Sequence, residues 1–437
     1  MSTPTPAYHR REILALAVPA FATLVSEPLL LIADSAIVGH LGTSQLAGLG
    51  IAGNIVGVIA GLCIFLAYGT TSTVARQLGA GNRREALAGG IDGLILAALL
   101  GAVITVALHL LYQPLIGLYG AAPDVAAQAA TYLRIVSFGF PFLLVMLAST
   151  GVLRGLQDTR TPLKVAITIN LANIGLNFLL VYGFGWGLAG AAVGTVLAQF
   201  LAAGILCLVV IRGARREGAP LHFRPGGILS AARAGIWLVL RTAALQVSIT
   251  ATTLVATHLG VIGLAAHQVV NSLWVFLSFA LDAIAIAAQA IIGRYLGAAR
   301  ADSVRALTVM MVRWGVGFGV VLGVLILLLR PWIPLIFTTD PAVREQIEAV
   351  LIVLAILAPV AGVVFVLDGV LIGAGDARYL AIAGSLVTVA YLPFAVAVDL
   401  AGGSLVWLWA AYGISMLGRG IVLAARARGT AWMRLGV

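Results

Sequence analysis

The sequence predicts an all-α polytopic membrane protein, with twelve transmembrane helices in two pseudo-symmetric six-helix bundles around a central cleft. Three observations carry that expectation. Of 437 residues, 61% are hydrophobic and only 10% charged, with a mean hydropathy of +1.09; soluble domains run at roughly 45–50% apolar and 25% charged. A spanning helix takes about 20 residues, and twelve apolar segments of that length can be read along the chain. The third observation is an internal repeat at half the chain length. A spanning β-barrel would alternate apolar and polar residues over about ten positions. Stretches such as Leu94 to Leu111 and Val320 to Leu329 are instead apolar on every face.

Taken in order, the first segment, 13–35, follows Arg10 and Arg11 and carries Pro19, whose missing N–H predicts a kink. The second, 46–68, holds Gly53, Gly57 and Gly61 at the four-residue spacing of close helix packing. The third and fourth cover 87–110 and 127–149. The fifth, 162–182, places Asn170, Asn173 and Asn177 on one helical face; the sixth, 187–211, runs into Arg212, Arg215 and Arg216. The remaining six are 232–256, 262–285, 305–329, 346–367, 379–398 and 403–424. Lys and Arg resist translocation, so their distribution sets orientation. Of 26 such residues, the loops and termini on the N-terminal side hold twenty, the other side holds Arg330 and Arg344, and four (Arg134, Arg241, Arg313, Arg419) fall within spans. Both termini are therefore expected on the cytoplasmic side of the inner (plasma) membrane.

That distribution also disposes of the formal charge of +10 as a nucleic-acid signal, since the positive residues flank the membrane. The competing reading of segment 13–35 as a signal peptide fails, because the run continues through Glu27 and Asp34 past the usual 7–15-residue apolar region. Cys63 and Cys207 lie inside apolar runs and read as packing residues.

Sliding the sequence on itself by 218 residues aligns His40-Leu41-Gly42 with His258-Leu259-Gly260, and Arg76, Leu78 and Gly79 with Arg294, Leu296 and Gly297. Without gaps, Pro141 then meets Pro359, and Val152-Leu153, Gly155, Asp158 and Arg160 meet Val370-Leu371, Gly373, Asp376 and Arg378. The chain reads as two halves, 1–211 and 232–437, joined by a basic linker over 212–231. Six spans per half keep both in one orientation, the parallel repeat of transporters that alternate access to a site between bundles. Arg212, Arg215, Arg216 and Arg224 are expected to lie against anionic headgroups.

A carboxylate at mid-span costs about 2.5–3.5 kcal/mol on insertion scales, so Glu27, Asp34, Asp282 and Asp368 need reasons. Glu27 and Asp34 are two helical turns apart and share a face. Desolvation favours the neutral form of a carboxyl, so Asp34 is expected to exchange a proton during function. The alternative for each acid is a permanently protonated or hydrogen-bonded side chain. The three asparagines either glue helices together or reach the first-segment acids; Thr195 and Gln246 are counted with them as a polar network. Gly48-Leu49-Gly50-Ile51-Ala52-Gly53 matches G-x-G-x-x-G but lies inside a span with no preceding strand. No Walker loop, nucleophile elbow or metal-spaced His/Cys cluster is present, so neither an enzyme nor a metal site is expected, and active transport must draw on an ion gradient.

Three stretches carry a family resemblance: Asp34-Ser35-Ala36-Ile37-Val38-Gly39-His40-Leu41-Gly42, Gln77-Leu78-Gly79-Ala80-Gly81, and Leu153-Arg154-Gly155-Leu156-Gln157-Asp158-Thr159-Arg160. With the doubled plan, the chain resembles the multidrug and toxic compound extrusion (MATE) transporters, DinF-type subgroup. The resemblance implies export of small amphipathic, often cationic organic compounds by antiport with H⁺ or Na⁺ and no other cofactor. It gives cation coupling to Asp34, bending to Pro19, and a place in the N-terminal site to Asn173. Asn177 stands where some relatives have aspartate, leaving Asp34 more of the cation chemistry, with Glu27 as a substitute. The seventh segment has no acid, its nearest polar group being Gln246, and H⁺ is the preferred ion. Membrane lipid is the only other partner expected, and the chain is expected to act as a monomer. Two other functions compete with this one: a lipid-linked precursor flippase, which would call on Arg134, Arg241 and Arg313 in the cavity, and a non-transporting scaffold or sensor, against which the short loops argue.

Overall fold

The computed structural model describes residues 6–436, with side chains from His9 onward except that of Glu27. Twelve helices are long and apolar enough to cross a membrane: His9–Gly39, Thr43–Gly79, Arg83–Gly117, Pro123–Gly155, Arg160–Gly183, Gly187–Arg216, Pro225–His258, Gly260–Gly297, Ala301–Leu329, Pro341–Gly373, Ala377–Leu400 and Leu405–Arg428. No strand occurs among the described residues. Most of the helices outrun their apolar segments by a turn or more, because charged flanking residues such as Arg83, Arg84 and Glu85 are good helix formers that begin the helix outside the apolar run.

Local chemistry sets the ends and breaks. Pro341 occupies the first turn of the tenth span, where its missing N–H has no partner to lose, and the Asp340 carboxylate caps the Ala342 N–H at 2.9 Å. The second span is interrupted at Cys63–Ile64. The fourth passes through a 3₁₀ turn over Ser137–Gly139 before Pro141. On the third span Leu99, Val103, Val106 and Leu110 are exposed, three and four residues apart, whereas Leu94, Ala97, Gly101 and Leu108 are buried. A helix this apolar on its outer face needs lipid there.

By contacts the chain forms two units. One is Val18–Gly235; the other is Ile236–Gly436 together with the stretch ending at Ala17. The division departs from the sequence reading in two ways. The linker belongs to the N-terminal unit, and the start of the first span belongs to the C-terminal one, where Glu12 is ion-paired with Arg294 and His9 packs edge-on against Tyr295. The allegiance of the first span changes beside Pro19, which lies inside an unbroken helix along with Pro28. The seventh span changes at Gly235, 218 residues after Ala17.

The repeat is visible in the backbone of each unit. Gly151 of the fourth span lies against the backbone of Ala67 in the second, and Gly369 of the tenth against that of Ala285 in the eighth. Gly101 abuts Phe140 and Pro141; Gly319 abuts Ala358 and Pro359. Each pair is 218 residues apart. A Cβ at any of these positions would overlap main chain, which has nowhere to move.

Candidate functional site

In the N-terminal unit, the last turns of the first span carry Asp34, which is 9% exposed. One oxygen accepts a hydrogen bond from Asn177 Nδ2 at 2.7 Å, and that amide also reaches Asn173 Oδ1 at 3.1 Å. Both asparagines are buried. Their four-residue spacing stacks them on one face of the fifth span, and just beyond Asn177 the helix widens into a π turn over Leu179–Gly183, a feature often found at functional sites. Close by, the Tyr182 hydroxyl donates to the Ile37 carbonyl at 2.5 Å, joining the fifth span to the first. Gly194 of the sixth span closes it from behind, since a side chain there would collide with Asn177 Oδ1. That oxygen is buried and accepts no hydrogen bond among the described residues. Buried Tyr132 lies beside Thr195 and within electrostatic reach of Asp34, and Thr195 Oγ1 donates to the Ala191 carbonyl.

The structure thus brings Asp34, Asn173, Asn177 and Thr195 together. Asn170 lies two turns away and donates to the Ser26 carbonyl at 3.3 Å, which joins the first and fifth spans as a helix-to-helix contact. Glu27 lies on the same helix as Asp34, but its side chain is outside the described residues. Gln246 is exposed; the buried polar groups of the seventh span among the described residues are instead Arg241, Ser248 and Thr252. Asp282 is half-buried in the eighth span.

Asp368 has a different environment from Asp34. It is 4% exposed, pairs with Arg241 and lies 3.0 Å from Arg419 Nη2. These side chains tie the seventh, tenth and twelfth spans together and place two of the four intramembrane arginines on protein. Arg134 lies over the Tyr112 ring, 5.5 Å from its centroid.

Asp92 is the residue the sequence reading missed. It is 2% exposed and receives Arg224 as a fork, Nε to Oδ1 at 3.1 Å and Nη2 to Oδ2 at 2.5 Å, while Nη1 reaches Glu85 at 3.4 Å. The contact with Asp92 holds the Arg224 guanidinium even further above the usual arginine range. Arg224 therefore points at a buried carboxylate, which corrects its expected place against headgroups. Arg83 and Glu217 form a further pair at 3.0 Å.

Three buried aspartates are thus present among the described residues, and two are answered by arginine. No ion-pair partner of Asp34 occurs among the described residues, and its hydrogen-bond donor is a neutral amide.

Comparison with known proteins gives this arrangement a family. The MatE family matches residues 19–179 and again 238–397, once per half of the repeat. The chain is 30% identical over 427 residues to the DNA damage-inducible protein F of Escherichia coli, covering 94% of this chain and 90% of that protein. Its fold superposes on the Vibrio cholerae MATE transporter VcmN in the bent form with a TM-score of 0.88 at 22% identity, over 97% of this chain and 98% of that one. It matches an outward-facing multidrug resistance MATE family transporter of the MOP superfamily with a TM-score of 0.87 at 21% identity, over 96% and 95% of the two chains. With a doubled family match across most of its spans, the chain belongs to the MatE family of membrane transporters.

Proposed function

We propose that this transporter exports small amphipathic, often cationic organic compounds across the cytoplasmic membrane in exchange for an inward-moving cation, with H⁺ as that cation and Asp34 as the group that carries it. The supporting observation is the contrast among the buried aspartates. Asp92 and Asp368 meet arginine; Asp34 meets a neutral amide. A buried charge without a counter-charge is costly by several kcal/mol, and taking up one cation removes that cost. Binding and release at Asp34 therefore change the energy of the site by enough to shift a conformational equilibrium. A proton moving inward gains about 2.3 kcal/mol per 100 mV of membrane potential, which supplies the drive.

A second reading, Na⁺ in place of H⁺, is favoured by the Asn177 Oδ1 atom, a buried acceptor lacking a donor beside the carboxylate; hard cations take oxygen ligands. A flippase for a polyanionic lipid is less well supported, because Arg241 is occupied by Asp368 and Arg134 by the face of Tyr112. The basic loops support cytoplasmic termini, and a monomer is the proposed working unit.

The test is counterflow of a cationic dye in proteoliposomes with a pH or a Na⁺ gradient imposed separately. Asp34→Asn should lose gradient-driven flux at least tenfold while remaining folded. Equal flux from the variant and the unmodified protein under a pH gradient would refute the role given to Asp34; drive by Na⁺ alone would select the second reading.

A further inference from the structure

The C-terminal unit holds a second buried polar cluster, and the repeat gives its origin. At the 218-residue offset Asp34 meets Thr252, Asn173 meets Tyr391, Asn170 meets Thr388 and Asn177 meets Ala395. The contacts keep the same register. Asn170 donates to the Ser26 carbonyl; Thr388 Oγ1 donates at 3.0 Å to that of Ala244, the counterpart of Ser26. Where Asp34 is tied to the fifth span, the Thr252 and Tyr391 hydroxyls meet at 2.7 Å. The C-terminal unit has thus kept the helix contact and replaced the carboxylate with hydroxyls.

Beside this pair is a cavity bordered by Thr252, His267, Asn271, Trp274, Trp409 and Tyr412, among others, with about 10 Å³ of space at its centre and about 190 Å³ of empty volume counting its open side. The centre accommodates a single oxygen-sized group. Three of its walls are aromatic: Trp274 and Tyr412 lie 5.6 Å apart between centroids, and Trp409 lies 5.7 Å from Tyr412.

Two polar atoms at this cavity lack partners among the described residues. His267, 1% exposed, has Nδ1 unpaired, and Trp409, 2% exposed, has Nε1 unpaired. Their rings are 5.8 Å apart between centroids. The hydrogen bonds around His267 accommodate the tautomer with its proton on Nε2. Thr253 Oγ1 donates to the Ile249 carbonyl at 3.1 Å and lies 3.0 Å from His267 Nε2. With Thr253 donating to that carbonyl, it accepts from Nε2–H, and Nδ1 is a bare lone pair. Beside the Asn271 amide at its border, the cavity therefore offers one buried acceptor and one buried donor. An ammonium group answers only the acceptor, and a carboxylate only the donor. A hydroxyl answers both.

We propose that this cavity is a second binding site, for a neutral hydroxyl group: a single O–H oxygen donates to His267 Nδ1 and accepts from the Trp409 indole N–H, supplied by water at rest and by the hydroxyl of an aromatic alcohol or phenol when one is bound. The N-terminal unit then supplies the cation site and the C-terminal unit reads neutral polarity. Export of the phenol rests on the function proposed above; its binding does not.

The test uses the full chain in lipid nanodiscs with ¹⁵N-labelled tryptophan, whose eight residues give eight indole N–H signals, Trp409 being assigned by its loss in Trp409→Phe. The Trp409 signal should show a cross-peak to water in the free protein. Adding tyramine should shift it and remove that cross-peak, and tyramine should bind about fivefold more tightly than phenethylamine, the increment of one hydrogen bond. Because both probes carry the same amine, the preference isolates the hydroxyl. It should fall toward one in Trp409→Phe and persist in Asp34→Asn, with both affinities unchanged there. A Trp409 N–H with no water contact overturns the site. A water contact with equal affinity for the two probes overturns its use for ligand and leaves a structural water only. The affinity preference is read on the unmodified protein, so it does not depend on the variant folding.

Discussion

The fork between Arg224 and Asp92 yields a prediction that separates a structural charge pair from a surface one. Arg224→Ala removes three charge-assisted hydrogen bonds, two to Asp92 and one to Glu85. It leaves a carboxylate whose side chain is 3% exposed. Breaking a buried pair from one side costs about 3–5 kcal/mol. Arg224 itself keeps 28% of its side-chain exposure, so water can enter its place, which puts the expected loss at the lower end, about 2–3 kcal/mol. For a unit of roughly 200 residues, each kcal/mol moves the melting temperature by about 2–4 °C, so the variant should melt on the order of 5–10 °C lower. Cys63 is buried and Cys207 partly so, and a thiol-reactive dye that reports their exposure follows the transition in detergent. Arg83→Ala is the comparison. Its partner Glu217 is at the same kind of distance, 3.0 Å, but the two side chains are 61% and 38% exposed, and such pairs are worth about 0–1 kcal/mol. Arg224→Lys, which keeps the charge and loses the fork, should fall between, and Asp92→Asn combined with Arg224→Gln should recover most of the loss. If Arg224→Ala destabilises no more than Arg83→Ala, the burial argument is wrong.

Two further predictions concern backbone and close packing. Gln157 and Ala299 adopt φ values of 68° and 55°, while their counterparts 218 residues away are Gly375 and Gly81 at 74° and 81°; left-handed backbone costs an L-residue about 1–2 kcal/mol, so Gln157→Gly and Ala299→Gly should each raise the melting temperature by a few degrees in the same dye assay. Gly194→Ala should push Asn177 off Asp34, because the added methyl overlaps Asn177 Oδ1, and reduce gradient-driven dye flux at least fivefold with little change in melting temperature; unchanged flux would separate Asn177 from coupling.

Much of the architecture was legible because hydropathy and charge act over whole segments. The twelve spans, the two halves in one register and the fifth-span asparagines all rest on periodicities that no single residue can disturb. The misses share a cause, which is that an ion pair is invisible until the fold brings its members together. Asp92 reads as the edge of an apolar run, yet the helix begins at Arg83 and carries it inward, and its partner lies 132 residues away. Asp368 draws attention as a lone intramembrane acid, but Arg241 and Arg419 come to it from two other spans. Ser248 and Thr252 escape notice because hydroxyls barely lower hydropathy and can bond back to their own helix, as Thr252 does to the Ser248 carbonyl at 2.8 Å.

The duplication also explains why the two units can share a frame and differ in chemistry. Gly151 and Gly369 keep the same approach to a neighbouring backbone, where any larger residue meets main chain and the repeat has no freedom. At the contacts between the first and fifth spans, and between the seventh and eleventh, side chains meet side chains, and several polar pairs can fill the same gap. A carboxylate with amides fills one; two hydroxyls fill the other. Only the first contains an ionisable carboxyl, since a hydroxyl pair stays neutral. Introducing an acid at the neutral position, Thr252→Asp, would therefore not duplicate the Asp34 site: Ala395 stands where Asn177 donates, so the new carboxylate would lose that donor and destabilise the C-terminal unit by more than the loss of one hydroxyl pair alone, about 1 kcal/mol. A variant that melts with the unmodified protein would show that the hydroxyl cluster tolerates charge, and the division of labour between the units would need another basis.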